Sequence, residues 1–188
     1  MQKLSSTLPN MILSLSIISV VMAIALGFVY EKTREPILKS KQEKIVNAIS
    51  EVLPPFDNDP TKEKTNIEGE NLVIYKATKG GQWVGSAVKT YSYKGFSGDI
   101  VLMVGFLPDG TIYNISVVEQ KETPGLGSKM KEPKFKNQFN NKNPEKFKLA
   151  VKKDGGDVDA ITASTISSRA FCDAVERAYE AFKKGGKQ

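Results

Sequence analysis

The chain has 188 residues, 40% apolar and 26% charged, with a net charge of +6. That length holds one domain and an appendage, and is long enough to bury a core. With no histidine and a single cysteine, it has no Ser-His-Asp triad, histidine zinc site, disulfide framework, iron–sulfur cluster or CxxCH haem attachment, so it either borrows a cofactor or performs no redox or hydrolytic chemistry.

Residues 1–10 read as a short N-terminal tail. No charged side chain occurs between Leu4 and Tyr30, and Met11–Tyr30 is dense in Ile, Val, Leu, Met and Ala. About 20 helical residues at 1.5 Å each cross a hydrocarbon core roughly 30 Å thick. The run therefore predicts a single transmembrane helix with Tyr30 at an interface. A cleaved signal peptide competes, because Ala23 and Ala25 form an A-x-A pattern and Lys3 a weak basic start. The apolar run is longer than a signal h-region, and helix-forming sequence continues beyond it, which favours a retained anchor. Lys32, Arg34, Lys39, Lys41 and Lys44 follow the span and only Lys3 precedes it. Counted alone, they place the large domain in the cytoplasm. Glu31, Glu35 and Glu43 are interspersed, and long domains translocate despite their charge, so charge does not fix sidedness.

Residues 31–55 form a connecting segment. Ile37, Leu38, Ile45, Ile49, Val52 and Leu53 recur at helical spacing, predicting an amphipathic helix from Pro36 to Leu53, restarted near Pro36 and stopped by Pro54-Pro55. The stretch Phe56–Gly69 is polar and reads as a loop opening a domain over residues 56–188. Strand-like runs follow at Asn71–Lys79, Gln82–Tyr93, Asp99–Phe106 and Thr111–Glu119. Gly80-Gly81 and Pro108-Asp109-Gly110 supply turns between them, so the runs predict an antiparallel meander. A helix is expected over Glu132–Asn140, a short strand over Phe147–Val151, a turn at Asp154-Gly155-Gly156 and a last helix over Thr165–Lys184. In that helix Ile166, Ala170, Ala174, Ala178 and Phe182 form one stripe. The fold class is α+β: a transmembrane helix, then an antiparallel sheet with packed helices.

Two segments are candidates for chemistry. Glu122-Thr123-Pro124-Gly125-Leu126-Gly127-Ser128 packs two glycines and a proline into a loop where backbone N–H groups can approach a ligand. Alone it is weak, since most such loops are turns. In Asp159–Ser168, five hydroxyl residues (Thr162, Ser164, Thr165, Ser167 and Ser168) crowd the start of the last helix. A helix N-terminus offers unpaired N–H groups and a positive dipole end, which suit a phosphate. N-capping by Thr162 or Ser164 is the structural alternative, and it needs only one hydroxyl.

This second segment resembles the flavinylation motif of the FMN-binding domain family, roughly D-x-x-S/T-G-A-T/S-x-T/S. Asp159, Thr162, Thr165, Ser167 and Ser168 match; Ala163 stands for the usual glycine and Ser164 for the usual alanine. With the Glu122–Gly127 loop, the anchor and Gly95-Phe96-Ser97-Gly98-Asp99-Ile100, the chain resembles the G-subunit family of Rnf electron transport complexes. The related C-subunit family of sodium-pumping NADH:quinone reductases shares both motifs. The resemblance implies FMN bound covalently, through its phosphate, to Thr165. Ser164, Thr162 and Ser167 would serve the phosphate, and Glu122, Thr123, Gly125, Leu126 and Gly127 would shape the ring pocket. It further implies an electron-transfer role without independent catalysis or a metal site, assembly with other Rnf subunits, and maturation by a flavin transferase. The chain would sit in a bacterial inner membrane, with its FMN domain on the extracytoplasmic side against the charge count. The protein itself would not bind NAD, and no G-x-G-x-x-G fingerprint occurs.

The basic balance does not point to nucleic acid, because bases and acids are interspersed and Trp83 is the single tryptophan. Lys129, Lys131, Lys134 and Lys136 read as a solubilising surface in preference to an acidic-partner site. Cys172 reads as a packing residue. Phe96, Tyr91 and Tyr93 are candidates to flank a flavin, with ordinary packing at least as good a reading. A flavin-free, membrane-tethered binding or structural domain is the reading from a different class.

Overall fold

A computed structural model describes residues 7–67 and 71–186; the first six residues of the expected tail, and Glu68 and Gly69 of the expected loop, lie outside the described residues. The chain divides into two compact units, residues 1–43 and residues 44–188. Helix α1 (Leu8–Val52) is continuous, with Pro36 inside it. The expected restart near Pro36 is not formed. Proline removes one backbone donor, but Glu31, Lys32, Arg34 and Glu35 before it and Leu38 and Lys39 after it are good helix formers that carry the helix through. In the first unit α1 includes a window long and apolar enough to cross a membrane, none of it buried. Ile37 and Leu38 are also exposed, so the expected apolar stripe is covered only toward its C-terminal end.

The second unit is a five-stranded antiparallel meander, order β1-β2-β3-β4-β5. Its strands are β1 (Lys64–Asn66), β2 (Val73–Lys79), β3 (Gln82–Ser92), β4 (Ile100–Phe106) and β5 (Ile112–Glu119). Gly110 takes φ +84° at the β4–β5 turn, where the Leu107 N–H donates to the Thr111 carbonyl at 2.9 Å. On one face of the sheet, Ala48, Ile49, Val52 and Leu53 pack against Tyr75, Ala77, Ala87 and Met103. The approach is close: a Cβ on Gly105 would lie 1.7 Å from the Val52 carbonyl oxygen. The Asn114 amide donates to the Glu51 carbonyl at 3.0 Å, satisfying one of the carbonyls that a helix end leaves open.

The other face is covered by α3 (Thr165–Gly185), which buries Ala170, Phe171, Ala174, Val175, Ala178 and Phe182 against Val88, Leu102, Val104 and Phe106. Small alanines let the helix backbone approach the sheet, and the Thr90 hydroxyl donates to the Ala174 carbonyl at 2.9 Å. Phe135, Phe139 and Phe171 meet edge-on or tilted and fill the end of this core nearest the start of α3. A fully buried side chain of this kind contributes about 1.5–3 kcal/mol.

Three further expectations differ from the structure. β1 forms within the expected loop. Of the expected Glu132–Asn140 helix only the short α2 (Pro133–Lys136) forms, and a 3₁₀ turn (Gly127–Lys131) precedes it. Residues 147–151 make no strand: Val151 forms one isolated bridge with Val158 while Phe147 and Leu149 pack on the core.

Candidate functional site

The five hydroxyls at the start of α3 have distinct surroundings. Ser164 occupies the N-cap position, yet its side chain makes no capping bond. Its backbone is held instead: its N–H donates to the Ile161 carbonyl at 2.9 Å, and its carbonyl accepts from the Ser168 N–H at 3.0 Å. The Ser168 hydroxyl donates to that same carbonyl and accepts from the Ile161 N–H, both at 2.9 Å. It pins the 161–164 turn onto the helix. That turn is completed by Ala163 at φ +61°, a left-handed conformation that disfavours a side chain.

Ser167 is buried, and its hydroxyl donates to Glu122 Oε2 at 2.9 Å. The Glu122 carboxylate, itself only 5% exposed, also accepts the N–H groups of Phe96 at 2.7 Å and Ser97 at 3.3 Å through Oε1. One buried carboxylate thus joins the 95–98 loop, the 122–127 loop and the first turn of α3. The glycines follow from this. A Cβ on Gly127 would lie 2.5 Å from Ser167 Oγ and 2.6 Å from Glu122 Oε2, and one on Gly95 would lie 2.1 Å from the Gly98 carbonyl oxygen. Gly125, at φ +76°, turns the loop, and its N–H donates to Ser128 Oγ at 2.9 Å.

These segments enclose a cleft of about 380 Å³ lined by Phe96, Glu122, Thr123, Leu126, Gly127 and residues 163–167. Thr165, half-buried, is the first residue of α3, and no protein group among the described residues engages its hydroxyl. Nor does any protein group among the described residues accept the N–H groups of Thr165, Ile166 and Ser167. Around the mouth, Phe96, Leu126 and Ile166 stand 69%, 41% and 48% exposed. Free N–H groups at a helix start suit a phosphate, and the exposed apolar side chains at the mouth suit a flat aromatic group.

The structure thus brings Glu122, Thr123, Leu126, Gly127, Ser164, Thr165 and Ser167 to one cleft, with Gly125 shaping the loop beside it. Thr162 lies elsewhere, in a neighbouring hollow with Asp159 and Lys129. Phe96 lines the cleft, whereas Tyr91 and Tyr93 pack on each other with ring centroids 4.6 Å apart and planes tilted by 45°, and do not. The Phe96 backbone bond to Glu122 and the Gly127 contact with Ser167 carried no local sequence signal.

An FMN-binding domain family model matches residues 95–180, which contain both loops and most of α3. The G subunit of the ion-translocating oxidoreductase complex of Erwinia tasmaniensis is 38% identical over 72% of this chain and 70% of its own length. That of Pseudoalteromonas atlantica is 30% identical over 87% of this chain and 83% of its own, and that of Aliivibrio fischeri 29% over 95% and 91%. The crystal structure of the C subunit of the Na(+)-translocating NADH-quinone reductase from Parabacteroides distasonis, 22% identical, superposes with a TM-score of 0.51 over 72% of this chain and 78% of that one. It carries the same fold.

Proposed function

The chain belongs to the G-subunit family of ion-translocating oxidoreductase complexes, and on that premise we propose that it is a membrane-anchored flavoprotein relaying electrons through FMN esterified to Thr165. The observation that carries the proposal is the free Thr165 hydroxyl, placed in the cleft beside three N–H groups without acceptors. When bound, FMN supplies the redox chemistry, so the chain needs no nucleophile or general base of its own.

The protein's part is placement. Thr165 Oγ1 is the tether. The α3 dipole stabilises the negative phosphodiester by roughly 0.3–1 kcal/mol, and by up to about 2 when partly buried. Ser164 borders the same space and offers a hydroxyl to the phosphate. Phe96, Leu126 and Ile166 would offer apolar contact to the flavin ring, and Thr123 a polar one. Ser167 supports the site from beneath through Glu122, since its hydroxyl is already given to that carboxylate. Thr162 faces the neighbouring hollow and acts outside the cleft.

Residues 11–30 are the single-pass anchor, and the FMN domain lies on the extracytoplasmic side. There a covalent bond keeps the site filled where free FMN is dilute. A flavin transferase makes the bond, the other subunits of an Rnf complex are the redox partners, and NAD binds elsewhere in that complex.

The test is in-gel fluorescence of the full chain purified from its native host. Flavin emission should survive denaturation, vanish in Thr165→Ala and persist in Ser164→Ala. Emission retained in Thr165→Ala would overturn the assignment.

A further inference from the structure

Glu122 is the one charged side chain that is buried among the described residues. No lysine or arginine among them pairs with it. The three groups that bond to it are neutral: the N–H groups of Phe96 and Ser97 at Oε1, and the Ser167 hydroxyl at Oε2. Glu122 accepts three bonds and donates none, the pattern of an ionised carboxylate. Ser167 lies in the first turn of α3, at the positive end of its dipole. A full negative charge is thus held by neutral dipoles, in a setting where water screens it little.

That charge lines the flavin cleft. Each of the three apolar side chains at the mouth is joined to it. Phe96 is joined through its own N–H and Ile166 through the neighbouring Ser167. Leu126 is joined through the neighbouring Gly127, where a Cβ would lie 2.6 Å from Oε2. The carboxylate therefore sits at the root of the residues that offer contact to the ring.

We propose that Glu122, besides holding the three segments together, sets the reduction potential of the bound flavin, its buried negative charge keeping that potential low. The inference rests on the electron-relay reading and deepens it. Each electron accepted from a redox partner adds one negative charge to the flavin, cancelled only when a proton follows. A fixed carboxylate nearby raises the energy of the reduced form relative to the oxidised one. Glu122 is in this respect a positioning residue. The flavin beside it is a stronger reductant than one beside a neutral side chain.

The test is a redox titration of the full chain purified from its native host, read by flavin absorbance against a reference dye. Alkaline buffer is used, so that proton uptake cancels less of the added charge. Glu122→Gln keeps an oxygen for the two N–H groups and offers the Ser167 oxygen an amide donor, so it removes the charge with little change of shape. Its potential should be more positive than that of the unaltered chain. Ser167→Ala keeps the carboxylate and removes one donor that offsets it, so its potential should move the opposite way. Loosening of the cleft alone would shift both variants in one direction, toward free flavin. An unchanged or more negative potential in Glu122→Gln overturns the proposal, and so does a shift of both variants with the same sign. If Glu122→Gln does not retain flavin, Ser167→Ala decides, and an unchanged or more positive value there overturns the proposal. The mass of the Thr165 peptide from each preparation reports the flavin separately. A bare peptide in the unaltered chain fails the flavin assignment; a loaded peptide without the shift fails the role of Glu122 alone.

Discussion

Replacing Ala163 with glycine is expected to stabilise the second unit. Ala163 sits at φ +61° in the turn before α3 and is exposed, so its methyl group is not part of the buried core. The left-handed conformation costs a non-glycine residue about 1–2 kcal/mol. Glycine removes that cost but adds unfolded-state freedom worth roughly 0.4–1 kcal/mol. The difference leaves Ala163→Gly more stable by ~0.5–1 kcal/mol, or about 2–4 °C in Tm per kcal/mol for a domain of this size. Ala163→Val should move the other way, because a β-branched side chain is harder to hold at positive φ. Thermal unfolding of the full chain in detergent, followed by near-UV circular dichroism, reads both. A lower Tm for Ala163→Gly would refute the strain argument and the account of the turn built on it.

Gly127→Ala drives a methyl group into the Glu122–Ser167 hydrogen bond; a loss of about 2–4 kcal/mol is expected in denaturant titration, whereas Gly80→Ala, with open space around it, should not reproduce the steric part of that loss. Asp173 fastens the end of β3 to α3. Burial alone would raise its carboxyl pKa, but hydrogen bonds from Lys94 and Ser92 and the charges of Lys94 and Arg177 outweigh burial and hold it below the usual carboxylate value. Its contribution is therefore complete above the unfolded pKa of about 3.9 and lost as pH falls through the lower folded value; Asp173→Asn should flatten the acid limb of a stability–pH curve. Burial, with Glu176 and Asp154 nearby, pushes the Cys172 thiol up to about 12, so maleimide at pH 8 should label it only after denaturation.

The apolar run was legible from its length and its lack of charge, the β2–β5 meander from apolar runs bounded by turn residues, and the α3 stripe from its helical period. β1 was not: Lys64, Thr65 and Asn66 are all exposed and carry no apolar signal, and their pairing comes from β2. The stretch 147–151 misled because Phe147 and Leu149 pack on the core without a neighbouring strand, an arrangement that alternation alone does not distinguish from pairing. Within the site, the cluster of hydroxyls marked the place but not the roles. Ser167 is claimed by Glu122 and Ser168 by the Ile161–Ser164 turn. The first bond crosses 45 positions, so no local pattern announces it. Lys136, grouped in sequence with Lys129 and Lys134, proves to be paired with Glu51.

The most direct measurement is the mass of the tryptic peptide containing Asp159–Arg169, isolated from chain made in its native host. The account expects that peptide to be heavier by one FMN less one water, with fragmentation assigning the addition to Thr165. An unmodified peptide in every molecule, or an addition assigned to Ser164, would contradict it.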